Sequence, residues 1–183
     1  MEGDKLTPIG EMKKRKKSTK RGGTDLKPTT GLVKNALFNI LGNIGELDFL
    51  DLFAGTGQIG LEAERRGANV VFVEKHRKRA EDIKKKTSKG KVYTGDVLKV
   101  LPRLGKFHII FADPPYDYDR YKYLLREAKE HLTDGGLLIV EHFKKVDLKP
   151  LIPKGLEIED ERTYGDTVLT FFRKGEEDFE SIL

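Results

Sequence analysis

Hydrophobic positions along the chain follow two different patterns, which meet near residue 27. Residues 1 to about 27 show no sustained apolar periodicity. From there to residue 41 apolar residues recur at helical spacing, and a threonine at position 29 or 30 can cap the helix that this spacing predicts. The apolar stripe of this helix comprises Leu32, Val33, Ala36, Leu37, Ile40 and Leu41.

Short apolar strands then alternate with helices. Because a helix between two strands is a crossover connection, five of these strands should be parallel, with helices on both faces of the sheet. Two later segments with period-two alternation flank Tyr164-Gly165-Asp166 and predict an antiparallel hairpin. The predicted strands are 48–53, 69–74, 91–95, 107–112, 137–141, 156–161 and 167–173, and the predicted helices after the first are 58–66, 76–87, 97–101 and 118–132.

Length and composition favour one globular α/β domain. The chain has 183 residues, of which 36% are charged and 37% hydrophobic. No apolar run approaches the ~20 residues of a membrane span, and the first ten residues lack the apolar core of a signal peptide. We therefore expect a cytoplasmic protein without membrane association, and a monomer.

The residue types also exclude several kinds of chemistry. There is no cysteine, which rules out disulfides, thiolate catalysis and cysteine-bound zinc or iron–sulfur sites. The four histidines are scattered without metal-ligand spacing, so we expect no metal site and interpret them as surface or packing residues.

The net charge of +5 is concentrated at the start of the chain. Residues 1–30 hold nine Lys or Arg against four Asp or Glu, whereas the remaining residues sum to zero. Such a cluster attracts phosphate backbones, although a solvated leader has the same composition. We expect a flexible or RNA-contacting segment at 1–25, one domain at 26–174 and an acidic tail at 175–183. The candidate nucleic-acid-binding residues are Lys13, Lys14, Arg15, Lys16, Lys17, Lys20 and Arg21.

A glycine-rich loop follows the first predicted strand. Gly55, Gly57 and Gly60 spell G-x-G-x-x-G between a strand and a helix, where bare backbone lets a ligand approach closely. Glu74 ends the next strand. Its separation in sequence from Gly55 is the one expected for a carboxylate that hydrogen-bonds ribose hydroxyls. Asp96 follows the third strand, and it can accept from an adenine amino group or cap the next helix. These features predict an adenosine-derived ligand, but a dinucleotide or a turn without ligand would also fit them.

The residues that follow strand four indicate one kind of reaction. Asp113, Pro114, Pro115 and Tyr116 combine a rigidly presented Pro114 carbonyl and a second acceptor, the Asp113 carboxylate, with the flat stacking face of Tyr116. Two acceptors on the hydrogens of an exocyclic amine favour the pyramidal geometry in which its lone pair faces a methyl donor, and they stabilise the cation that forms. Tyr116 would stack on a base that has left its helix. We therefore assign these four residues as the catalytic group, with Asp113 mainly orienting and electrostatic.

With both motifs in place, the sequence resembles the class I S-adenosylmethionine-dependent methyltransferases. Within them it resembles the bacterial-type small-subunit ribosomal RNA guanine amino-methyltransferases. The resemblance covers roughly residues 26–174 and rests on LKPTTGLVKNALFNIL, LDLFAGTGQIGLEAERR, GANVVFVE and FADPPY. That family usually opens with a compact RNA-contacting hairpin, whereas residues 1–25 here are a lysine-rich stretch without clear alternation.

The resemblance implies a Rossmann-like fold with a seven-stranded, mostly parallel sheet in the order 3-2-1-4-5-7-6, whose last strand is antiparallel. It also implies S-adenosylmethionine as the cofactor and small-subunit ribosomal RNA, free or within its ribonucleoprotein particle, as the partner. The cofactor-binding candidates are Asp51, Phe53, Ala54, Gly55, Thr56, Gly57, Glu74, Asp96, Val97, Thr29 and Thr30.

Three other functions are compatible with parts of this sequence. A methyltransferase for the amino group of DNA adenine could use the same DPPY motif. An NAD-dependent oxidoreductase would explain the glycine loop but leaves Asp113–Tyr116 unexplained. A non-catalytic RNA-binding or assembly factor could keep the methyltransferase fold.

Overall fold

In the computed structural model, which describes residues 30–176, with side chains from residue 31, seven strands form one sheet and α-helices pack against both faces. The helices are α1 (Thr30–Leu41), α2 (Gln58–Arg65), α3 (Arg77–Lys86), α4 (Val97–Val100) and α5 (Tyr121–Glu130). The strands are β1 (Asp48–Leu52), β2 (Asn69–Glu74), β3 (Lys91–Thr94), β4 (Phe107–Ala112), β5 (Leu132–Phe143), β6 (Leu156–Tyr164) and β7 (Thr167–Lys174).

The strands pair in the order β3-β2-β1-β4-β5-β7-β6. The first five strands in the chain are parallel to one another, and β7 runs antiparallel between β5 and β6. This topology confirms the predicted fold class and strand order. It places β1 beside β4 in the middle of the sheet, with Leu52 opposite Ala112 at their carboxyl ends.

The core has two layers because successive strand residues face opposite sides of the sheet. On one side Phe49 of β1 and Phe111 of β4 belong to the cluster that includes α1 residues. On the other side Leu50 and Ile110, their neighbours in sequence, pack with apolar residues of α4 and α5. The inward residues predicted for 118–132 are all buried, namely Tyr121, Leu124, Leu125, Ala128 and Leu132.

Helix α1 differs from its predicted apolar stripe at two positions. Leu32 was predicted inward but is 54% exposed, whereas Phe38, outside the predicted stripe, is 1% exposed. Phe38 stacks on Phe49 at 6.5 Å between ring centroids, and the Arg66 guanidinium lies over the Phe38 ring, 4.9 Å from its centroid. The apolar face of α1 therefore includes Phe38, which packs against Phe49 of β1, whereas Leu32 lies outside the core although Val33 beside it is buried.

Two predicted boundaries around α5 were wrong. The helix begins at Tyr121 rather than at residue 118, because the Tyr118 N–H donates to the Pro115 carbonyl and closes a turn there. Strand β5 begins at Leu132 rather than at the predicted residue 137, because Leu132 already pairs with Phe107. Residues 133–136 form an irregularity inside the strand, with Gly135 at a φ of 73°.

The third glycine of the loop motif lies where α2 packs directly against the ring of a β2 residue. A Cβ on Gly60 would lie 2.3 Å from an atom of the Phe72 ring, which is fully buried in β2. The Gly60 N–H also donates to the Asp51 carboxylate at 3.0 Å. Glycine at this position therefore sets the distance between α2 and the sheet.

We expect Gly60→Ala to lower the free energy of unfolding by about 1–3 kcal/mol, because the added methyl group meets a buried ring that has no room to move. The matched control is Gly31→Ala on α1, where a Cβ meets nothing within 4 Å and should stabilise the helix by up to ~1 kcal/mol. Chemical denaturation of the two variants measures both changes. An unchanged midpoint for Gly60→Ala would contradict the packing argument.

Candidate active site

Three loops meet at the carboxyl edge of the central strands. The Asp113 N–H donates to the Leu52 carbonyl at 3.4 Å, which joins the end of β4 to the end of β1. The Ala54 N–H donates to the Val73 carbonyl at 3.0 Å, which joins the loop after β1 to the end of β2. The glycine loop and the DPPY segment, which are 53 or more residues apart in sequence, are therefore neighbours in the fold, as predicted.

The glycine loop turns through left-handed backbone. Gly55 and Gly57 have φ values of 60° and 80°, which glycine adopts without a steric penalty. Phe53 has a φ of 57°, a conformation that costs a non-glycine residue roughly 1–2 kcal/mol. Strain of this kind is typical of ligand-binding segments that the surrounding structure holds in place. Gly57 is the N-cap of α2, and its carbonyl accepts from the Leu61 N–H at 2.8 Å.

Two carboxyl groups lie behind this loop. Asp51 is 1% exposed, and burial raises its pKa to about 7; the Gly60 N–H acts in the opposite direction and the negative charge of Glu74 adds to the rise. Glu74 is 5% exposed, and its Oε2 is buried without a hydrogen-bond partner. A buried carboxylate oxygen of this kind fits the hydroxyls of a ribose, the role predicted for Glu74 from its spacing.

Asp96 lies after β3 on the same edge. Its Oδ1 accepts from the Leu98 N–H at 3.0 Å, so it does cap α4, one of the two roles left open by the sequence. The carboxylate is only partly buried, which leaves it able to accept from a ligand as well. Val97 beside it is 5% exposed and supplies apolar surface.

The DPPY segment presents its polar and aromatic groups outward. Pro114 is buried, whereas Asp113, Pro115 and Tyr116 are exposed. Tyr116 is 78% exposed, and its ring lies 5.2 Å from that of Phe143 at an interplanar angle of 53°. One face of Tyr116 is therefore supported by β5, which leaves the other able to stack on a planar ligand.

The structure adds aromatic residues that the sequence pattern did not assign to the site. Phe143 supports Tyr116, and the Lys145 ammonium lies 5.8 Å from the centre of the Phe143 ring. Tyr118 and Tyr121 contact each other edge to face at 5.1 Å, directly after the DPPY segment. Burial and the charge of Asp113 raise the pKa of Tyr121 to about 12. The tyrosine spacing at 116, 118 and 121 was the available signal, but positions 118 and 121 were interpreted as part of a helix.

Some predicted residues lie outside the described part of the chain. Thr29 is outside it, and Thr30 is present only as the first residue of α1, without a described side chain. The predicted nucleic-acid-binding residues, Lys13, Lys14, Arg15, Lys16, Lys17, Lys20 and Arg21, lie outside it as well. Of the predicted loop contacts, Ala54 and Gly55 are partly buried and Thr56 is exposed, so all three border the site.

Two further observations concern residues 30–176 alone. Their His, Asp and Glu side chains form no group of three or more that could hold a metal ion. Their helices are all too short or too polar to cross a membrane.

Comparison with known proteins relates this geometry to a family. Residues 9–173 match the family described as Conserved hypothetical protein 95. The candidate rRNA methyltransferase YlbH of Bacillus subtilis is 34% identical over 166 residues, which cover 83% of this chain and 90% of that protein. The Ribosomal RNA small subunit methyltransferase D of Escherichia coli K12 is 30% identical over 162 residues, which cover 81% of this chain and 80% of that protein.

Solved structures agree with the sequence relatives. The candidate methyltransferase yhhF from Escherichia coli superposes with a TM-score of 0.73 at 26% identity, over 83% of this chain and 89% of that one. The chain therefore belongs to the Conserved hypothetical protein 95 family and is, as its two motifs predicted, a member of the S-adenosylmethionine-dependent methyltransferases.

Proposed function

We propose that this protein transfers a methyl group from S-adenosylmethionine to an exocyclic amino group of a base in RNA, and that the base is a guanine of small-subunit ribosomal RNA. The proposal rests on one observation: the DPPY segment and the glycine loop lie side by side at one edge of the sheet. The Asp113 N–H donates to the Leu52 carbonyl, so the amine-binding segment directly adjoins the glycine loop.

The residues present fit the cofactor. Glu74 offers a buried, unpartnered carboxylate oxygen to the ribose, and Asp96 with Val97 offers an acceptor and an apolar surface to the adenine. The left-handed backbone at Phe53, Gly55 and Gly57 brings main chain close to the rest of the ligand. When bound, S-adenosylmethionine supplies an electrophilic methyl group on a positively charged sulfur.

In the proposed reaction the DPPY segment binds and orients the amine. The Asp113 carboxylate and the Pro114 carbonyl accept the two amine hydrogens, so the nitrogen lone pair points toward the methyl group. Methyl transfer would form a carbon–nitrogen bond and break the carbon–sulfur bond of the donor, which leaves as the neutral thioether S-adenosylhomocysteine. The positive charge would pass from sulfur to nitrogen, where these two acceptors stabilise it as it develops. The acidic cation afterwards loses a proton to solvent or to Asp113. Tyr116, supported by Phe143, holds the base against rotation.

RNA as the substrate class is supported by the relatives and by the charge distribution. The relatives named above are called ribosomal RNA methyltransferases. Residues 75–91, called the basic edge below, comprise α3 and its flanks and contain nine Lys or Arg against two Asp or Glu. The remaining residues of 31–176 contain seventeen Lys or Arg against twenty-one Asp or Glu. Within the domain, attraction to phosphate is therefore concentrated at this edge.

The reaction is tested with tritiated S-adenosylmethionine and three acceptors: unmodified small-subunit ribosomal RNA, its ribonucleoprotein particle, and duplex DNA. We expect label in a guanine amino group from one of the RNA acceptors. Asp113→Ala should reduce transfer by at least ~10²-fold with cofactor affinity changed less than a few fold, because the missing acceptor acts mainly in the transition state. Asp117→Ala, which removes an exposed acid four residues further along the chain, is the matched control.

The outcomes of this experiment separate the alternatives. Label in DNA adenine would replace the RNA proposal by a DNA-modifying one. Binding of the cofactor without label in any acceptor would favour a non-catalytic factor. Normal turnover by Asp113→Ala would contradict the role proposed for that carboxylate.

Cofactor binding should depend on pH through Asp51. Its pKa of about 7 in the free protein means that it is largely protonated below that pH, whereas a cationic cofactor beside it favours the carboxylate. Binding below pH 7 then releases a proton, so affinity for S-adenosylmethionine should rise from pH 5.5 to 7.5 by up to roughly tenfold per unit and level off above. Calorimetry across this range measures the slope. Asp51→Asn should remove the slope, whereas Asp117→Asn should retain it.

RNA binding should depend on the basic edge and on the N-terminal lysine cluster. We expect replacement of Lys84, Lys85 and Lys86 by Ala to weaken RNA binding and to reduce the salt slope by roughly 0.7–0.9 for each phosphate that the variant no longer neutralises. The control replaces Lys99, Lys106 and Lys154, exposed lysines outside the basic edge, and removes the same charge. Deletion of residues 1–24 should also flatten the slope without changing cofactor affinity. Equally weakened RNA binding in the basic-edge and control variants would mean that only net charge matters.

A further inference from the structure

Buried polar groups without partners are few in the described part of the chain. Among those residues, three buried side-chain atoms lack a hydrogen bond: Glu74 Oε2, the Tyr118 hydroxyl and one terminal nitrogen of Arg173. That nitrogen lies 2.8 Å from a Glu159 carboxylate oxygen, so an ion pair accounts for its burial. The other two atoms border the candidate active site, where a ligand can satisfy them.

Tyr118 lies between the two halves of the site. Its ring meets Phe53 of the glycine loop edge to face at 5.2 Å, and Tyr121 of α5 at 5.1 Å. Burial and the nearby charge of Asp96, which follows β3, raise its pKa to about 12, so the hydroxyl remains a hydrogen-bond donor at neutral pH. Phe53 belongs to the loop proposed to hold the cofactor, and Asp96 to the proposed adenine end.

A role in packing alone does not explain the hydroxyl. The two ring contacts of Tyr118 would be retained by phenylalanine, which has no polar atom to bury. Burying a hydroxyl without a partner disfavours the folded state, so the Tyr118 hydroxyl lowers the stability of the ligand-free protein. A group that binds beside Phe53 and Asp96 would provide the missing partner.

We infer that Tyr118 is a cofactor-binding residue whose hydroxyl hydrogen-bonds the adenosine moiety of S-adenosylmethionine. This inference rests on the function proposed above. It adds a cofactor-binding residue that belongs to neither the glycine loop nor the DPPY motif. It also connects the two ligand sites, because the Tyr118 N–H donates to the Pro115 carbonyl at 3.0 Å. A cofactor held by the side chain thereby steadies the turn that carries Tyr116.

The test compares the wild type with Tyr118→Phe in two measurements that need no methyl transfer. Thermal unfolding of the free protein should give a midpoint that is unchanged or raised, because the variant no longer buries an unpartnered hydroxyl. Calorimetry with S-adenosylhomocysteine should show a roughly three- to tenfold loss of affinity, the effect of one neutral hydrogen bond. The same factor is expected with 5′-methylthioadenosine, which has the adenosine moiety without the amino acid.

The matched control is Tyr123→Phe, which removes a hydroxyl from a half-exposed tyrosine of α5, the helix that follows Tyr118, and should change neither quantity. Unchanged affinity of Tyr118→Phe for S-adenosylhomocysteine, with a wild type that binds it, would overturn the inference alone. A lowered midpoint of free Tyr118→Phe would also overturn it, because the hydroxyl would then have a partner within the protein. A wild type that fails to bind S-adenosylhomocysteine would overturn the proposed function together with the inference.

Discussion

The parallel pairing of β1 with β4 is the constraint on which the rest of the site depends. Parallel neighbours end at the same edge of a sheet, so the loops that follow them must meet there. Leu52 lies opposite Ala112, and the next residue after Ala112 already donates its N–H to the Leu52 carbonyl. A one-residue change in this register would turn the residues of β4 to the opposite face and move the DPPY segment away from the glycine loop.

The strained loop after β1 is held by contacts behind it rather than within it. The left-handed Phe53 disfavours the fold locally, while the buried bond from the Gly60 N–H to Asp51 and the fit of Gly60 against Phe72 anchor the following helix. These anchors are buried and the loop they support is partly exposed, so the binding surface keeps its shape without relying on a ligand to form it. Methyl transfer demands such a preformed edge, because the acceptor atom and the methyl group must be held close together and in line.

Most helices and strands could be predicted from periodicity, and two short motifs indicated which loops lie at one edge of the sheet, because both signals depend on residues close in sequence. The strand order came from the resemblance to a known family. The errors occur where a specific contact overrides the periodic pattern. Phe38 is buried because Phe49 and Arg66 enclose it, and neither is its neighbour in sequence. The region 118–120 has helical spacing, but the bond from the Tyr118 N–H to the Pro115 carbonyl stops the helix from starting there. Phe143 could not be assigned to the site because β5 extends two residues beyond its predicted end before it reaches Tyr116.

The uneven distribution of charge within the domain has a consequence for how the protein meets a large polyanion. The basic edge is strongly positive, whereas the remaining residues of 31–176 are net negative, so the domain has a substantial electric dipole moment. In the field of a nucleic acid such a molecule would be turned before it makes contact, so that the basic edge approaches the phosphates first. Collisions would therefore favour one orientation, and the approach itself would select which side of the domain meets the polyanion.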